Sequence, residues 1–421
     1  MLLHLSLSAA VPRIQPILDL AQSTPPEFHA WTLLKILQSG NQVKDRAIQR
    51  RLIEQAYELA SAAQARYPVQ PLNGIPQNSL SYLRGQAGAL GLESLSLQTR
   101  AVEFMLPLDK ARARQMFADI PRPSIPAMGC GDDLLPRLGE YYRTLGRVAQ
   151  ETFTPKERQR EDHISFLAEY IGAIGSPSQL VPAAAMLQNL SVSPEQKQLL
   201  YAKLGSALES VTPDDRSFAE ITSALTPLLT ADLMPAFQRF IANHAAAPRC
   251  KHDTQQLTVG SASAETYKGE LLGDNEQAKR IRQMAWDLRI RNSRVLTEAD
   301  RAEAAWQLAY NNFLDALAQR QQAETESEAA FFHETVSGWM TAADLAPTPQ
   351  ARARAFAEAA RIIASSPLET SSPAEWLYQI VQGIPGRAPS DDLLRAYQDS
   401  GNPALAVYAA LVRLAGPNVV Q

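Results

Sequence analysis

The 421-residue sequence has only two cysteines, Cys130 and Cys250, and almost no excess of charge of either sign. Two cysteines exclude a multi-disulfide scaffold and a four-cysteine zinc site. Forty lysines and arginines against 44 aspartates and glutamates give a net charge of −4, which argues against a general electrostatic surface for nucleic acid or anionic membrane. We therefore expect no nucleic-acid partner.

Long apolar runs are also missing. No run of about 18 apolar residues occurs, so we expect no transmembrane segment. The N-terminal stretch 1–16, MLLHLSLSAAVPRIQP, has a short apolar segment followed by small residues, but no lysine or arginine precedes it. Two interpretations stay open: it begins the first helix, or it is an altered or shortened export signal.

The common motifs of catalysis and cofactor binding are absent as well. The sequence has no GxxxxGK[ST], HExxH, CxxC, complete GxGxxG, GxSxG or EF-hand loop. The stretch GCGDD at 129–133 lacks the third glycine and the preceding strand of a nucleotide-binding loop. We predict no cofactor and assign no catalytic residue, because an enzyme would have to build its site from distant positions.

A signal for the start of a helix recurs along the chain: Ser or Thr, then Pro, any residue, and Glu or Gln. The hydroxyl caps an unpaired N–H, proline needs no N–H partner at this position, and the acid or amide bonds back to the cap. The signal occurs five times, at Thr24, Thr154, Ser176, Ser193 and Ser372. Strand-like alternation is nearly confined to QQLTVG at 255–260. The sequence therefore predicts an all-α protein.

Apolar residues at helical spacing follow three of these signals. They are Ile164, Leu167, Ile171 and Ile174, then Leu180, Ala184, Leu187 and Leu190, then Leu200, Leu204, Leu208 and Val211. Alternate starts lie 39 residues apart (154 to 193) and 36 apart (176 to the acidic variant at 212). Such a period is typical of helical hairpins that bury their apolar faces by stacking. We predict stacked antiparallel helical hairpins that form a curved, solenoid-like array.

Two stretches, DKARARQMFADI at 109–120 and NPALAVYAALVRLAG at 402–416, resemble the small-residue helices of TPR-type repeats. With the hairpin period, the chain is similar to TPR-like or HEAT-like α-solenoids in general and to no specific family. The aromatic and glycine positions of the full TPR signature are not reproduced in register. The resemblance implies a concave surface that binds a protein or peptide, and it fixes no partner.

The longest stretch without helical periodicity, roughly 247–275, is rich in small polar residues. Loops beyond about 15 residues are uncommon inside compact domains, so we place the main boundary here. The predicted organisation is an N-terminal helical-repeat region at 1–248, a loop or linker at 249–275 and a C-terminal helical region at 276–421.

The most chemically suggestive residues of the chain lie in this loop and just before it. His244, Cys250, His252 and Asp253 lie close together in sequence and are candidate metal ligands. The alternatives are an unpaired structural cysteine and a disulfide between Cys250 and Cys130. A disulfide would favour an exported or periplasmic protein and its absence a cytoplasmic one, so the location stays open.

Other polar groups have a structural interpretation. The doublets Asp132-Asp133, Asp214-Asp215 and Asp391-Asp392 precede apolar runs, where capping and first-turn acids are expected. The basic run at 279–294 is interpreted as a solvated helix face. It contains Arg280, Arg282, Arg289, Arg291 and Arg294 beside Trp286. His29 and His333 lie in amphipathic patterns and are predicted to be packing or surface residues.

Three possible functions remain. The first is a non-enzymatic helical-repeat scaffold or interaction protein, which needs only stacked hairpins and an exposed surface. The second is an α/α-toroid hydrolase, which needs two carboxyl groups about 5 to 10 Å apart in an acidic cleft. A metal-binding module at His244, Cys250 and His252 is a third. We predict the first.

Overall fold

The computed structural model describes most of the chain up to residue 246 and two segments near its C-terminus. The described residues are 13–39, 43–62, 69–71, 91–125, 132–134, 138–211, 218–230, 233–246, 336, 338–340, 342–343, 346, 348–364 and 390–416. The chain divides into two compact units. One comprises His29–Asn73 and Gly91–Lys251, and the other comprises Met1–Phe28, Gly74–Leu90 and His252–Gln421.

The described residues are predominantly α-helical, as the sequence predicts. The helices are α1 (Gln15–Ala21), α2 (Pro26–Gln38), α3 (Arg46–Ser61), α4 (Ser94–Met105), α5 (Lys110–Asp119), α6 (Leu138–Glu151), α7 (Pro155–Gln159), α8 (Asp162–Gly172), α9 (Pro177–Gln188), α10 (Pro194–Ser210), α11 (Phe218–Leu225), α12 (Met234–Ala246), α13 (Pro349–Ala364), α14 (Asp391–Asp399) and α15 (Pro403–Ala415). The described strands are β1 (Val69–Pro71) and β2 (Asp132–Leu134). Two strands of three residues leave the fold class all-α.

Three of the helix-start signals, at Thr154, Ser176 and Ser193, form the caps that their chemistry predicts. At α7, the Thr154 N–H donates to Glu157 Oε2 at 2.7 Å and the Glu157 N–H donates to Thr154 Oγ1 at 3.3 Å. Ser193 and Gln196 repeat this exchange at α10, with distances of 3.1 and 3.3 Å. Each reciprocal pair satisfies two backbone donors that the first turn leaves unbonded.

Ser176 precedes α9, and two further signals occur in the sequence. One precedes α2 and one lies outside the described residues. At α9, Gln179 Oε1 accepts from the Ser176 N–H at 3.1 Å. Helix α2 begins two residues after Thr24, at Pro26. Ser372, the fifth signal, lies outside the described part of the chain.

The apolar stripes of α8, α9 and α10 form the core of the first unit. All the predicted stripe residues from Ile164 to Val211 are buried, none more than 5% exposed. Along this unit, α4, α6, α9 and α11 contact one another in succession, and so do α8, α10 and α12. Helix α6 also contacts α5 and α8. From α6 onwards, apart from the short α7, each helix therefore contacts the helix two places further along this part of the chain.

Strands β1 and β2 pair two proline-rich segments. They are antiparallel, with Val69 opposite Leu134 and Pro71 opposite Asp132. The doublet Asp132-Asp133 is therefore part of a strand, and helix α6 begins only at Leu138. The prediction that this doublet caps a helix is wrong. Proline at 136 explains the difference, because it has no N–H to donate to the carbonyl of residue 132 in a helix that started there.

The second unit is described for α1 and for α13 to α15. Helix α14 contacts α13 and α15, and α15 contacts α1. The Ser390 hydroxyl caps α14 by accepting from the Leu393 N–H at 3.3 Å, and Asp391 and Asp392 occupy its first turn. The third acidic doublet therefore lies where first-turn acids are expected. The fully buried rings of Tyr397 and Tyr408 meet edge to face, 6.1 Å apart.

Several predictions fall on residues that the structure does not describe. These are the N-terminal stretch 1–12, the segment 249–275, the basic run 279–294, the doublet Asp214-Asp215, and His333. The domain boundary at 249–275 stays a prediction. Among the described residues, no helix combines the length and apolar character that crossing a membrane requires.

Candidate functional site: a groove between two helices

A cleft of about 610 Å³ opens to solvent between α5 and α8 in the first unit. We call it the α5–α8 groove. It is lined by Ala111, Arg114, Gln115 and Ala118 of α5, by Phe153 and Glu157 at the start of α7, and by Asp162, Ser165, Phe166 and Glu169 of α8. Its volume lies within the 300–1,000 Å³ that is typical of ligand pockets.

The groove exists because α6 packs against both of its walls. Helix α5 contacts α4 and α6, whereas α8 contacts α6 and α10. Contacts with α3 hold α5 in place: Tyr57 Oη donates to the Met116 carbonyl at 2.7 Å, and Arg112 Nε donates to Glu54 Oε1 at 3.1 Å. The α5 wall is thus fixed by side chains that are distant in sequence.

Aromatic rings form the floor of the groove and continue into the core. The half-buried rings of Phe153 and Phe166 lie 5.6 Å apart, and Phe166 lies 4.9 Å from Tyr170. Tyr170 is in turn 5.5 Å from the buried Phe117, which stacks on Tyr141 at 5.1 Å. Such spacings are favourable for tilted and offset ring pairs. The floor is therefore a rigid apolar surface backed by the core.

Arg114 closes one end of this floor. Its guanidinium lies over the Phe153 ring, 4.4 Å from the centroid, and Arg114 Nη1 is 2.9 Å from Glu157 Oε1. The backbone and hydroxyl of Thr154 lower the pKa of Glu157 to about 2, with a further contribution from Arg114. Glu157 is therefore a fixed carboxylate and is not poised as an acid catalyst at neutral pH.

The two carboxylates of α8 are ion-paired from outside the groove. Arg160 Nη2 donates to Asp162 Oδ2 at 2.7 Å. Arg122 donates to Glu169 Oε1 and lies over the Tyr170 ring, 5.0 Å from its centroid. The second oxygen of each carboxylate, Asp162 Oδ1 and Glu169 Oε2, accepts no hydrogen bond from the described residues.

The rim offers further polar groups for recognition. The side chains of Gln115 and Ser165 are exposed and form no hydrogen bond with the described residues. An amide and a hydroxyl both donate and accept, so they suit a peptide backbone as well as side chains. The α5–α8 groove thus combines an apolar floor, unused hydrogen-bonding groups and fixed charges. The hydrolase alternative stays a prediction.

A second polar cluster is buried at the start of α4, outside the groove. Glu93 is 7% exposed, and burial raises its pKa to about 7, whereas the Ser96 hydroxyl bonded to it and Arg100 lower the pKa and Glu140 raises it. Arg100 Nε lies 3.4 Å from Glu140 Oε2. This cluster was not predicted from the sequence, although the stretch GLESLSLQ around a single acid was its signal.

The structure does not describe the side chains of the predicted site residues. His244 lies on α12, and its side chain is not described, whereas Cys130, Cys250, His252 and Asp253 lie outside the described residues. The metal and disulfide predictions stay predictions. Within the described part of the chain, no group of three or more His, Cys, Asp and Glu side chains is placed to hold a metal ion.

His29 is buried in α2, as its packing interpretation predicts. Its side chain is 7% exposed, and burial lowers its pKa to about 4. The imidazole is therefore neutral at physiological pH, because desolvation disfavours its charged form.

The groove residues were not singled out from the sequence. Arg114 belongs to the stretch 109–120, which resembles a TPR-type helix without marking any site residue, and Glu157 belongs to the TPKE cap signal. Their positions are 43 residues apart, so no local pattern joins them. The hint in the sequence was the arginine-rich helix α5, followed later by Phe153 before α7 and Phe166 on α8.

No protein-family model, curated protein or solved structure matches this chain. The described residues define the class as all-α, with a helical first unit that carries an open groove.

Proposed function

We propose that this protein is a non-enzymatic helical-repeat scaffold that binds a protein or peptide partner in the α5–α8 groove. The observation that carries the proposal is the groove itself: the half-buried rings of Phe153 and Phe166 line it together with Gln115 and Ser165, whose side chains form no hydrogen bond with the described residues. Grooves with an apolar floor and a few directional polar groups suit recognition of peptide segments.

The packing of the first unit supports the repeat interpretation. Helices α6 to α12 succeed one another with contacts between alternate helices, which is the relationship expected of hairpins stacked in an array. The proposed array presents α5 and α8 side by side, and the groove lies where their surfaces are separated. Binding between neighbouring helices requires no movement of the core.

The proposal is tested by blocking the groove. A displayed library of random dodecapeptides is selected on the full chain, and the affinity of the enriched peptides is measured by calorimetry. Ala118→Trp places an indole in the groove from an exposed position on α5, and we expect it to weaken binding at least tenfold. Ala202→Trp, at an exposed position on α10 that does not line the groove, is the matched control.

The control should bind the peptides as the wild-type protein does, and circular dichroism should show the same helix content for all three proteins. If the library yields no peptide, or if peptides bind Ala118→Trp and the wild-type protein equally, the groove is not the binding site and the proposal is wrong.

A further inference from the structure

Three aromatic rings follow one another at the groove, and two of them carry a cation of this chain. Arg114 lies over Phe153 and Arg122 lies over Tyr170. Phe166 lies between them, 5.6 Å from Phe153 and 4.9 Å from Tyr170. Among the described residues, no guanidinium or ammonium group lies over the Phe166 ring. Phe166 is therefore the ring of this row on which the described residues place no cation.

Acidic side chains border the Phe166 ring at both ends. Asp162 precedes Phe166 by four residues on α8 and Glu169 follows it by three, so all three side chains lie on one helix face. All three line the groove, and each carboxylate keeps one oxygen that accepts no hydrogen bond from the described part of the chain. An aromatic face between two such carboxylates attracts a cation.

Each carboxylate of the groove is already paired with one arginine, so a further cation is held by the ring and the local oxygens and not by an excess of negative charge. The groove lining contains three carboxylates, Glu157, Asp162 and Glu169, and one guanidinium, that of Arg114. Arg122 and Arg160 pair with two of the carboxylates from outside the lining, through one oxygen of each. A further cation is therefore accommodated without displacing either arginine.

We propose that Phe166 is the anchor point for an arginine side chain of the partner peptide, which stacks on the ring and bonds the free oxygens of Asp162 and Glu169. Arginine fits better than lysine, because its planar guanidinium stacks on a ring while its N–H groups donate in the plane of the guanidinium. This inference rests on the proposed function, because it names the partner's chemistry at the same groove.

The first test uses the peptides selected from the library. We expect an arginine to be enriched at one position, and the strongest binder is synthesised with that residue changed to lysine or leucine. Arginine to leucine should weaken binding about tenfold or more, and lysine should fall between the two. Binding should also weaken with added salt, because the carboxylates are exposed.

The second test changes the protein. Phe166→Leu keeps an apolar floor and removes the ring, and Glu169→Gln removes one charge at an exposed position. Each should weaken the arginine peptide several-fold, and Glu169→Gln should leave the leucine peptide unchanged. Glu209→Gln is the matched control, because Glu209 is also an exposed acid on a helix, paired with Arg239, and does not line the groove.

The outcomes separate the two proposals. Peptides that bind in the groove, as judged by their loss with Ala118→Trp, but tolerate arginine to leucine or Glu169→Gln without weakening, overturn the arginine inference and keep the proposed function. Failure of every peptide to depend on the groove overturns both. If Phe166→Leu fails to fold, Glu169→Gln still tests the inference, because Glu169 is exposed.

Discussion

The guanidinium of Arg114 lies 4.4 Å above the centroid of the Phe153 ring. This contact joins the middle of α5 to the residue that precedes the α7 cap signal, at one end of the groove floor. The same side chain is ion-paired with Glu157, so Arg114 contacts one residue before the Thr154 cap and one after it.

Removal of this arginine should destabilise the first unit. For Arg114→Leu we expect the free energy of unfolding to fall by about 1 kcal/mol, because a cation–π contact and a partly exposed ion pair are lost together. Urea unfolding followed by circular dichroism measures the change. Arg239→Leu removes an exposed ion pair with Glu209 and should cost less than about 0.5 kcal/mol. Equal losses in the two variants would contradict a role for the ring contact.

The buried Glu93 should make stability depend on pH. Its pKa is about 7 in the folded state and 4.5 when unperturbed, so the folded state binds the proton more tightly. The contribution of Glu93 to the free energy of unfolding is complete below pH 4.5, and it is lost as pH rises through 7. Glu93→Gln keeps an oxygen that accepts from the Ser96 hydroxyl. It removes the loss of stability at high pH, because an amide does not ionise. We expect it to raise the free energy of unfolding by on the order of 2–3 kcal/mol at pH 8, with little change at pH 4.5.

Urea unfolding of Glu93→Gln at several pH values checks this prediction. Glu58→Gln, at an exposed position on α3, is the control and should shift stability by the same small amount throughout. Parallel stability curves for Glu93→Gln and the wild-type protein between pH 4.5 and 8 would refute the assignment to Glu93.

Gly91 should be sensitive to the smallest substitution. Its φ of +61° is in the left-handed region, and an added Cβ would lie 2.2 Å from Arg100 Nη2. We expect Gly91→Ala to cost about 1–2 kcal/mol, because the backbone is strained and Arg100 must move away. Gly139→Ala on α6, where no atom lies within 4 Å of the new methyl group, should instead stabilise by about 0.5 kcal/mol. Thermal unfolding of both variants gives the two signs directly.

The cap of α10 provides a further test. Ser193→Ala removes the oxygen that accepts from the Gln196 N–H and should cost about 1 kcal/mol. Ser206→Ala, in the middle of the same helix, removes a hydroxyl bonded only to the Ala202 carbonyl and should be neutral or slightly stabilising. Chemical denaturation compares them, and an equal cost would show that the cap bond does not form.

The sequence predicted the features that depend on near neighbours. The cap at Thr154 needs only Glu157, three residues away, and the buried stripe of α8 recurs every three or four residues. The groove depends instead on α5 and α8, whose side chains meet only because α6 packs against both. No spacing in the chain encodes that arrangement.

The strands show the same limit from another side. Three-residue strands are too short for an alternating pattern, so β1 and β2 could not be read from the sequence. DDLL at 132 and DDLL at 391 are identical, yet the first begins a strand and the second a helix. Proline follows the first and arginine the second, and that one residue decides whether the helical hydrogen bond is available.

The bonds that hold α5 to α3 give the groove a dependence on chain length. They join residues 58 and 59 positions apart, Glu54 to Arg112 and Tyr57 to Met116. The groove therefore forms only in a chain that has closed this loop, at the entropic cost of bringing distant segments together. A fragment that begins at Leu138 would keep the α8 wall with its aromatic residues but would have nothing opposite it. Peptide binding would then report assembly of the whole first unit, and the groove would serve as a natural probe of its folding.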